Sequence, residues 1–338
     1  GVLATWHAVL ESSDIPVSQT RMLYAVNSSA SRVLTKVAKA NRVGSLGLAF
    51  SQGWNETTDR KKGYFELRWG APDSWDDVIL QGPHLHVATP FYKSPNETML
   101  HNLDWSPVDL ETLPADAIPV TSYKPAGDRY AYDADYTHWG PDDDPTPARD
   151  HYRIAWRNMA ANTGERTLIA ALIPPGAAHI HGVSSAGSTE GRAEDLAALA
   201  GVLSSLLADF AIRSAPKSTI SLNSVRRLPW LASTEIRRAV AVRALRLNCL
   251  TEVYADLWES AFHPDFTGSE WAFRETWPDV PPLGHVDRSW SPSIPLRRAI
   301  ERRQACIEID ALVAIGLGVT VDELCTIYRT QFSVLSGY

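Results

Sequence analysis

Two pairs of histidines, His84 with His86 and His179 with His181, are spaced His-x-His. On a strand that spacing turns both imidazoles of a pair to one face, about 6–7 Å apart and within reach of a shared metal ion. A metal-dependent hydrolase or oxygenase is therefore one reading of the chain. Against it, no carboxylate accompanies either pair at ligand spacing, and Pro83 and Gly182 put both pairs at strand ends, where half-exposed histidines are common. A second set of side chains points elsewhere. Arginine can fork onto the O6 and N7 atoms of guanine, and asparagine can do the same to adenine, so Arg153, Arg157, Asn158 and Arg166, with Thr167 beside the last, suit base edges in a DNA major groove. Lys217 and Ser218, followed by Thr219, offer an ammonium and two hydroxyls for phosphate, and Lys93, Tyr123 and Lys124 could do likewise. For each of these cations alone, a solvated surface charge or an intramolecular ion pair is the competing reading, and for Lys93 and Lys124 the favoured one.

Other chemistry lacks its parts. There is no Asn/Asp-Pro-Pro-Tyr/Phe segment to grip a flipped adenine, no phosphate-cradling loop ending Gly-Lys-Ser/Thr, and no Gly-x-Ser-x-Gly elbow. No Glu has a Lys two residues later, so a nuclease metal set cannot be placed. The chain contains no recognisable catalytic motif, and no cofactor is expected to bind it.

The elements that must position these residues follow from periodicity. Residues 18–41 read as a helix, with Ser18 as N-cap and Met22, Val26, Val33, Val37 and Ala40 at helical spacing, forming a lead-in or tether. Short strands follow at 45–50, 63–69 and 77–80, then a β-rich stretch over 84–91 and a Pro-rich loop to about Arg149 whose run Asp142-Asp143-Asp144 reads as solvated. From His151 to Asn158 the pattern alternates: Tyr152, Ile154 and Trp156 face one way, Arg153, Ala155 and Arg157 the other. One face packs and the other is basic. Arg166 to Leu172 reads as a second strand, and the two most simply make a hairpin that gathers Arg153, Arg157 and Arg166. Beyond Glu194 helix dominates: an apolar helix at 194–212, a short strand or loop at 219–225, a helix or helix pair at 234–262, another at 296–313, and a last one opened by the capping box Thr320-Val321-Asp322-Glu323. Arg237, Arg238, Arg243 and Arg246 read as solvated or interdomain, and Trp156, Trp230 and Trp258 as core. The expected fold class is mixed α/β, a β-rich domain followed by a helical C-terminal lobe. Its segments are 1–41 (tether), 42–150 and 151–232 (two parts of the β-rich domain) and 233–338 (helical lobe).

The net charge of −7 argues against a nucleic-acid partner until its distribution is considered. Residues 101–150 carry a local −8, leaving +1 for everything else, and residues 151–250 hold twelve Lys/Arg against six Asp/Glu, a local +6. A candidate anion-binding face is hidden in the bulk number. Leu196 to Ile212 is interrupted by Ser204, Ser205 and Asp209, so no membrane partner is expected, and the three cysteines show no metal-ligand or disulfide spacing, consistent with a cytoplasmic protein. A first residue of Gly rather than Met reads as a piece of a longer polypeptide.

The runs Tyr152-Arg153-Ile154-Ala155-Trp156-Arg157, Arg166 to Pro175 and Gly201 to Phe210, closing on Leu228-Pro229, resemble the target-recognition region of type IIG-like adenine-specific DNA methyltransferases, of the kind also found in the BREX and DISARM phage-defence systems. Val78 to Lys93 is similar to the first β-rich part of that domain, and Glu308 to Ala314 with Asp322 to Arg329 to the helical tail after it. The resemblance covers most of residues 75–338 and omits the whole catalytic half. It implies sequence-specific recognition of double-stranded DNA, an upstream methyltransferase domain that binds S-adenosylmethionine, and possible contacts with other defence-system subunits.

Overall fold

The computed structural model describes residues 4, 7, 16–20, 27–101, 103–161, 163–190, 192–215, 218–273 and 280–337. Helix α1 (Ser28–Lys39) starts at an Asn27 cap rather than at Ser18, and Met22 and Val26 lie outside the described residues. Ala30, Val33, Leu34 and Val37 of α1 are fully buried, so this helix is packed into the core instead of acting as a free tether. Three short strands come next, β1 (Ala49–Ser51), β2 (Phe65–Gly70) and β3 (Ile79–Leu80), then a hairpin of β4 (Lys93–Pro95) with β5 (Trp105–Pro107), and β6 (Thr121–Pro125), which pairs with β2. The stretch 84–91, expected as β-rich, is instead a 3-10 turn at Gly82–His84 followed by irregular chain with a single bridge between His86 and Thr89. Asp142, Asp143 and Asp144 are exposed, as a charged run without partners for burial must be.

The hairpin expected after His151 is present. Strand β7 (Arg153–Arg157) pairs antiparallel with β8 (Ala170–Ile173), Arg153 opposite Ile173. After β9 (Ala178–His179), which pairs parallel with β3, strand β10 (Val183–Gly187) takes the other side of β7, and β1 closes the four-stranded order β8-β7-β10-β1. Strand β7 is thus central, and both its faces are covered. Ile154 and Trp156 join the main core with the helices. On the opposite face Ala155 packs with Val78, Leu80, Leu85, Ala177 and Val183.

The apolar segment after Glu194 forms two helices, α2 (Ala193–Ser204) and α3 (Leu206–Arg213), bent by 62° where Ser205 caps α3 with its hydroxyl on the Ala208 amide. Helix α4 (Leu222–Arg226), in place of the expected strand or loop, leads to α5 (Thr234–Asn248), α6 (Ala255–Ala261), α7 (Ala299–Gly316) and α8 (Val321–Gln331), the last opened by the Thr320 and Glu323 capping box that the sequence indicates. The fold is mixed α/β, with C-terminal helices after a strand-rich N-terminal region. Among the described residues no single helix is long and apolar enough to cross a membrane. Helix α2 packs on β7 and β8 with one side and on α5 with the other. Gly201 sets that second approach, because a Cβ there would lie 2.2 Å from Val240 Cγ1.

Candidate nucleic-acid interface

The arginines expected to present a basic face are consumed by the fold. Arg153 is fully buried, its Nε donating 3.1 Å to the His151 carbonyl and its terminal nitrogen to the Ala177 carbonyl. Arg157 donates from Nε 2.8 Å to the Gly82 carbonyl and also to that of Leu85. Burial pulls both guanidinium pKa values down. Arg166 lies in the loop before β8, where Nε reaches Asp209 at 2.8 Å and a terminal nitrogen reaches the Ser204 carbonyl at 2.6 Å. Thr167 is buried beside it, with its amide 2.9 Å from Asp209 Oδ2. The alternation of β7 was right about sidedness and wrong about solvent. Residues 78–85 cover the arginine face, and their backbone carbonyls accept its donors.

The remaining expected phosphate contacts divide. Lys124 is buried, donating to Thr121 Oγ1 at 2.6 Å and to the Gly70 carbonyl; burial, with Arg68 adding to it, pushes its pKa down to about 8. Tyr123 gives its hydroxyl to Glu56 at 2.8 Å, and Lys93 is half-buried with its ammonium 5.3 Å from the Tyr92 ring centroid. Ser218 is exposed, and Lys217 lies outside the described residues. Further along, Arg243 pairs with Glu308 at 2.8 Å, Arg246 donates to the Ile294 and Leu283 carbonyls, Arg237 to those of Leu231 and Ala232, and Arg238 pairs with Asp265. These four tie α5 to its neighbours or to its own entry loop, so the local +6 is mostly internal. Trp156, Trp230 and Trp258 are buried, as expected.

The histidine pairs do not assemble as ligand sets. His84 sits in a 3-10 turn rather than on a strand, with Nδ1 2.9 Å from the Gln81 amide and Nε2 2.9 Å from the Val120 carbonyl. The His86 ring lies 4.4 Å from the Tyr92 ring centroid. His179 is fully buried with Nε2 2.8 Å from Ser185 Oγ, while His181, past the end of β9, is exposed. Desolvation holds His84 and His86 at about 4 and His179 at about 3. Among the described residues no three His, Cys, Asp or Glu side chains converge as a metal site.

Asn158 and Ser218 are brought together. The Asn158 carbonyl accepts from the Ile220 amide at 2.8 Å, the Ala160 amide donates to the Ser218 carbonyl at 3.1 Å, and Met159 bridges to Thr219, so the segment after β7 zips onto 218–220. The zipper is one wall of a groove of about 470 Å³, whose lining includes Gln52, Asn158, Met159, His181, Thr219, Ser221 and Asn223. Asn158 donates Nδ2 to the His181 carbonyl, and its Oδ1, itself buried, has no hydrogen-bond partner among the described residues. Met159 stands 78% exposed at the rim, an unusual place for a large apolar side chain. Among the described residues, none lining the groove carries a formal charge. Gln52, Met159, Ser221 and Asn223 were not singled out from the sequence. The Ser221 cap of α4, visible as a Ser-rich run ending in Asn223, is the one local signal that could have drawn attention to them.

No protein-family model matches the chain. No curated protein matches it either.

Proposed function

We propose that the chain is a double-stranded DNA recognition module of a DNA-modifying or restriction protein, and that it reads base edges through the Asn158 groove rather than through the arginines of β7. The observation that carries this reading is the lining of the groove: amides, hydroxyls and an imidazole with no carboxylate, in a chain whose net charge is −7. Amide side chains pair with adenine N6 and N7, hydroxyls serve several bases, and an exposed methionine can meet a thymine methyl. Ser218 and exposed Arg226, one turn along α4 from Asn223, lie close in sequence to the groove lining and suit phosphate contacts that set register. In this reading methyl transfer from S-adenosylmethionine belongs to a partner methyltransferase domain, because this chain has no glycine-rich strand-to-helix turn to hold that cofactor.

The test is a binding-site selection followed by anisotropy titrations of the preferred duplex at several salt concentrations. Asn158→Ala and Asn223→Ala are expected to cost about 1–3 kcal/mol each on the preferred sequence and to relax one base position. Arg226→Ala should weaken all sequences alike and reduce the salt slope by about one. Absence of duplex binding at low salt, also with the methyltransferase domain supplied, overturns the proposal, and so does unchanged selectivity in both asparagine variants.

A further inference from the structure

A second concavity of about 670 Å³ opens between α7, α8 and the start of α3, well within the few hundred to roughly 1,000 Å³ of small-molecule sites. Its walls are mostly apolar, with Leu206, Ile307, Leu324 and Leu335 around the Tyr328 ring. The Tyr328 hydroxyl is spent on the Leu335 carbonyl at 3.0 Å, which fixes the far wall and removes that group from any ligand. Two carboxylates line the space, Glu165 and Asp310, and among the described residues neither makes an ion pair.

Asp310 is the informative one. Its Oδ1 accepts the Leu206 amide at 2.6 Å, so the side chain is held in one orientation, and among the described residues Oδ2 accepts no hydrogen bond. Arg166 and Arg303 also line the concavity; Arg166 is matched by Asp209 at 2.8 Å while its charge also acts on Asp310, and Arg303 is exposed. A fixed carboxylate oxygen without a protein donor gains most from an N–H donor carrying positive charge, since charge-assisted hydrogen bonds are stronger than neutral ones. Burial has pushed the Asp310 carboxyl up to about 6, the cost that such a donor would relieve.

We propose that this concavity is a binding site for a compact apolar amine, its ammonium on Asp310 and its hydrocarbon or aryl body against Ile307, Leu324, Leu335 and the Tyr328 ring. Nothing in the DNA reading requires it, because the Asn158 groove and this site share no lining residue.

The experiment uses the full chain with three probes of similar body, 2-phenylethylamine, 2-phenylethanol and 3-phenylpropionate, in calorimetric titrations. The amine is expected to bind one per chain, at least about tenfold more tightly than the alcohol and more tightly still than the acid. Asp310→Asn keeps an oxygen for the Leu206 amide and should cost the amine about tenfold while leaving the alcohol unchanged. Ala311→Phe, at an exposed position on the rim, should block all three probes. Equal binding of amine and acid, amine binding insensitive to Asp310→Asn, or no binding of any probe at millimolar concentration overturns the proposal. If Asp310→Asn fails to fold, the ranking of probes on the unaltered chain and their loss in Ala311→Phe decide alone.

Discussion

Removing the Asp209 carboxylate is the sharpest test of the claim that the arginines hold the fold together. Asp209 is fully buried and collects Arg166 Nε at 2.8 Å, Arg213 Nε at 3.0 Å and the Thr167 amide at 2.9 Å. Arg213 is further anchored to the Gln331, Gly164 and Glu165 carbonyls and lies 4.4 Å from the Phe332 ring centroid, so neither guanidinium can swing out to water without breaking several contacts. In Asp209→Ala two nearly enclosed cations lose their common counter-charge, and breaking a buried pair this way costs about 3–5 kcal/mol. Unfolding entropy of about 2.1 cal/mol/K per residue amounts to roughly 0.7 kcal/mol/K over 338 residues, so the melting temperature should fall by about 4–7 °C. Asp209→Asn, which still accepts from the Thr167 amide, should lose less. Glu190→Ala, which breaks the exposed, solvent-screened pair with Arg192, is the control and should leave the melting temperature essentially unchanged. The assay is scanning calorimetry with urea midpoints as a second measure. An Asp209→Ala melting temperature within about 1 °C of the unaltered chain, or indistinguishable from Glu190→Ala, would refute the structural role of Arg166 and return it to the list of candidate DNA contacts.

Two further outcomes follow from the same packing. His84, His86 and His179 titrate near 6.5 when unfolded but at about 4, about 4 and about 3 when folded, so the unfolded chain binds more protons. Stability should be complete above pH 6.5 and fall by several kcal/mol toward pH 4, opposed in part by Asp310, whose raised pKa favours the fold at low pH. Urea midpoints between pH 7.5 and 4.5 read this directly, and a flat profile contradicts the burial of these rings. Gly201→Ala should destabilise by about 1–3 kcal/mol, although alanine is the better helix former, because its Cβ meets Val240 Cγ1 at 2.2 Å. Val240→Ala in the same chain should recover part of the loss. A Gly201→Ala protein as stable as its parent would mean that α2 and α5 are not this close.

Local signals were legible wherever the deciding interaction lies within a few residues. The Thr320 and Glu323 capping box, the β7–β8 hairpin, the all-round apolar α2 and the exposed Asp142–Asp144 run are of this kind, since each is fixed by near neighbours or by the absence of anything that could bury it. The fate of the arginines was not legible. Alternation in β7 reveals that Arg153 and Arg157 share a face, and it carries no information on whether that face meets water. The acceptors for Arg157 are backbone carbonyls of Gly82 and Leu85, more than seventy residues earlier, and every residue has a carbonyl, so no side-chain type in the sequence marks them as partners. The groove at Asn158 has the same origin: its walls come from 50–52, 158–159, 181–184 and 219–223, four segments whose meeting depends on β1 and β10 pairing and on the 158–160 zipper. The sequence by itself determined the central strand β7, most of the C-terminal helices and which residues are chemically able to contact DNA. Only the tertiary structure decided which of them remain accessible, because a guanidinium walled in by fixed carbonyls and packed side chains cannot reach a base, even where, as at one terminal nitrogen of buried Arg153, a donor has no partner among the described residues.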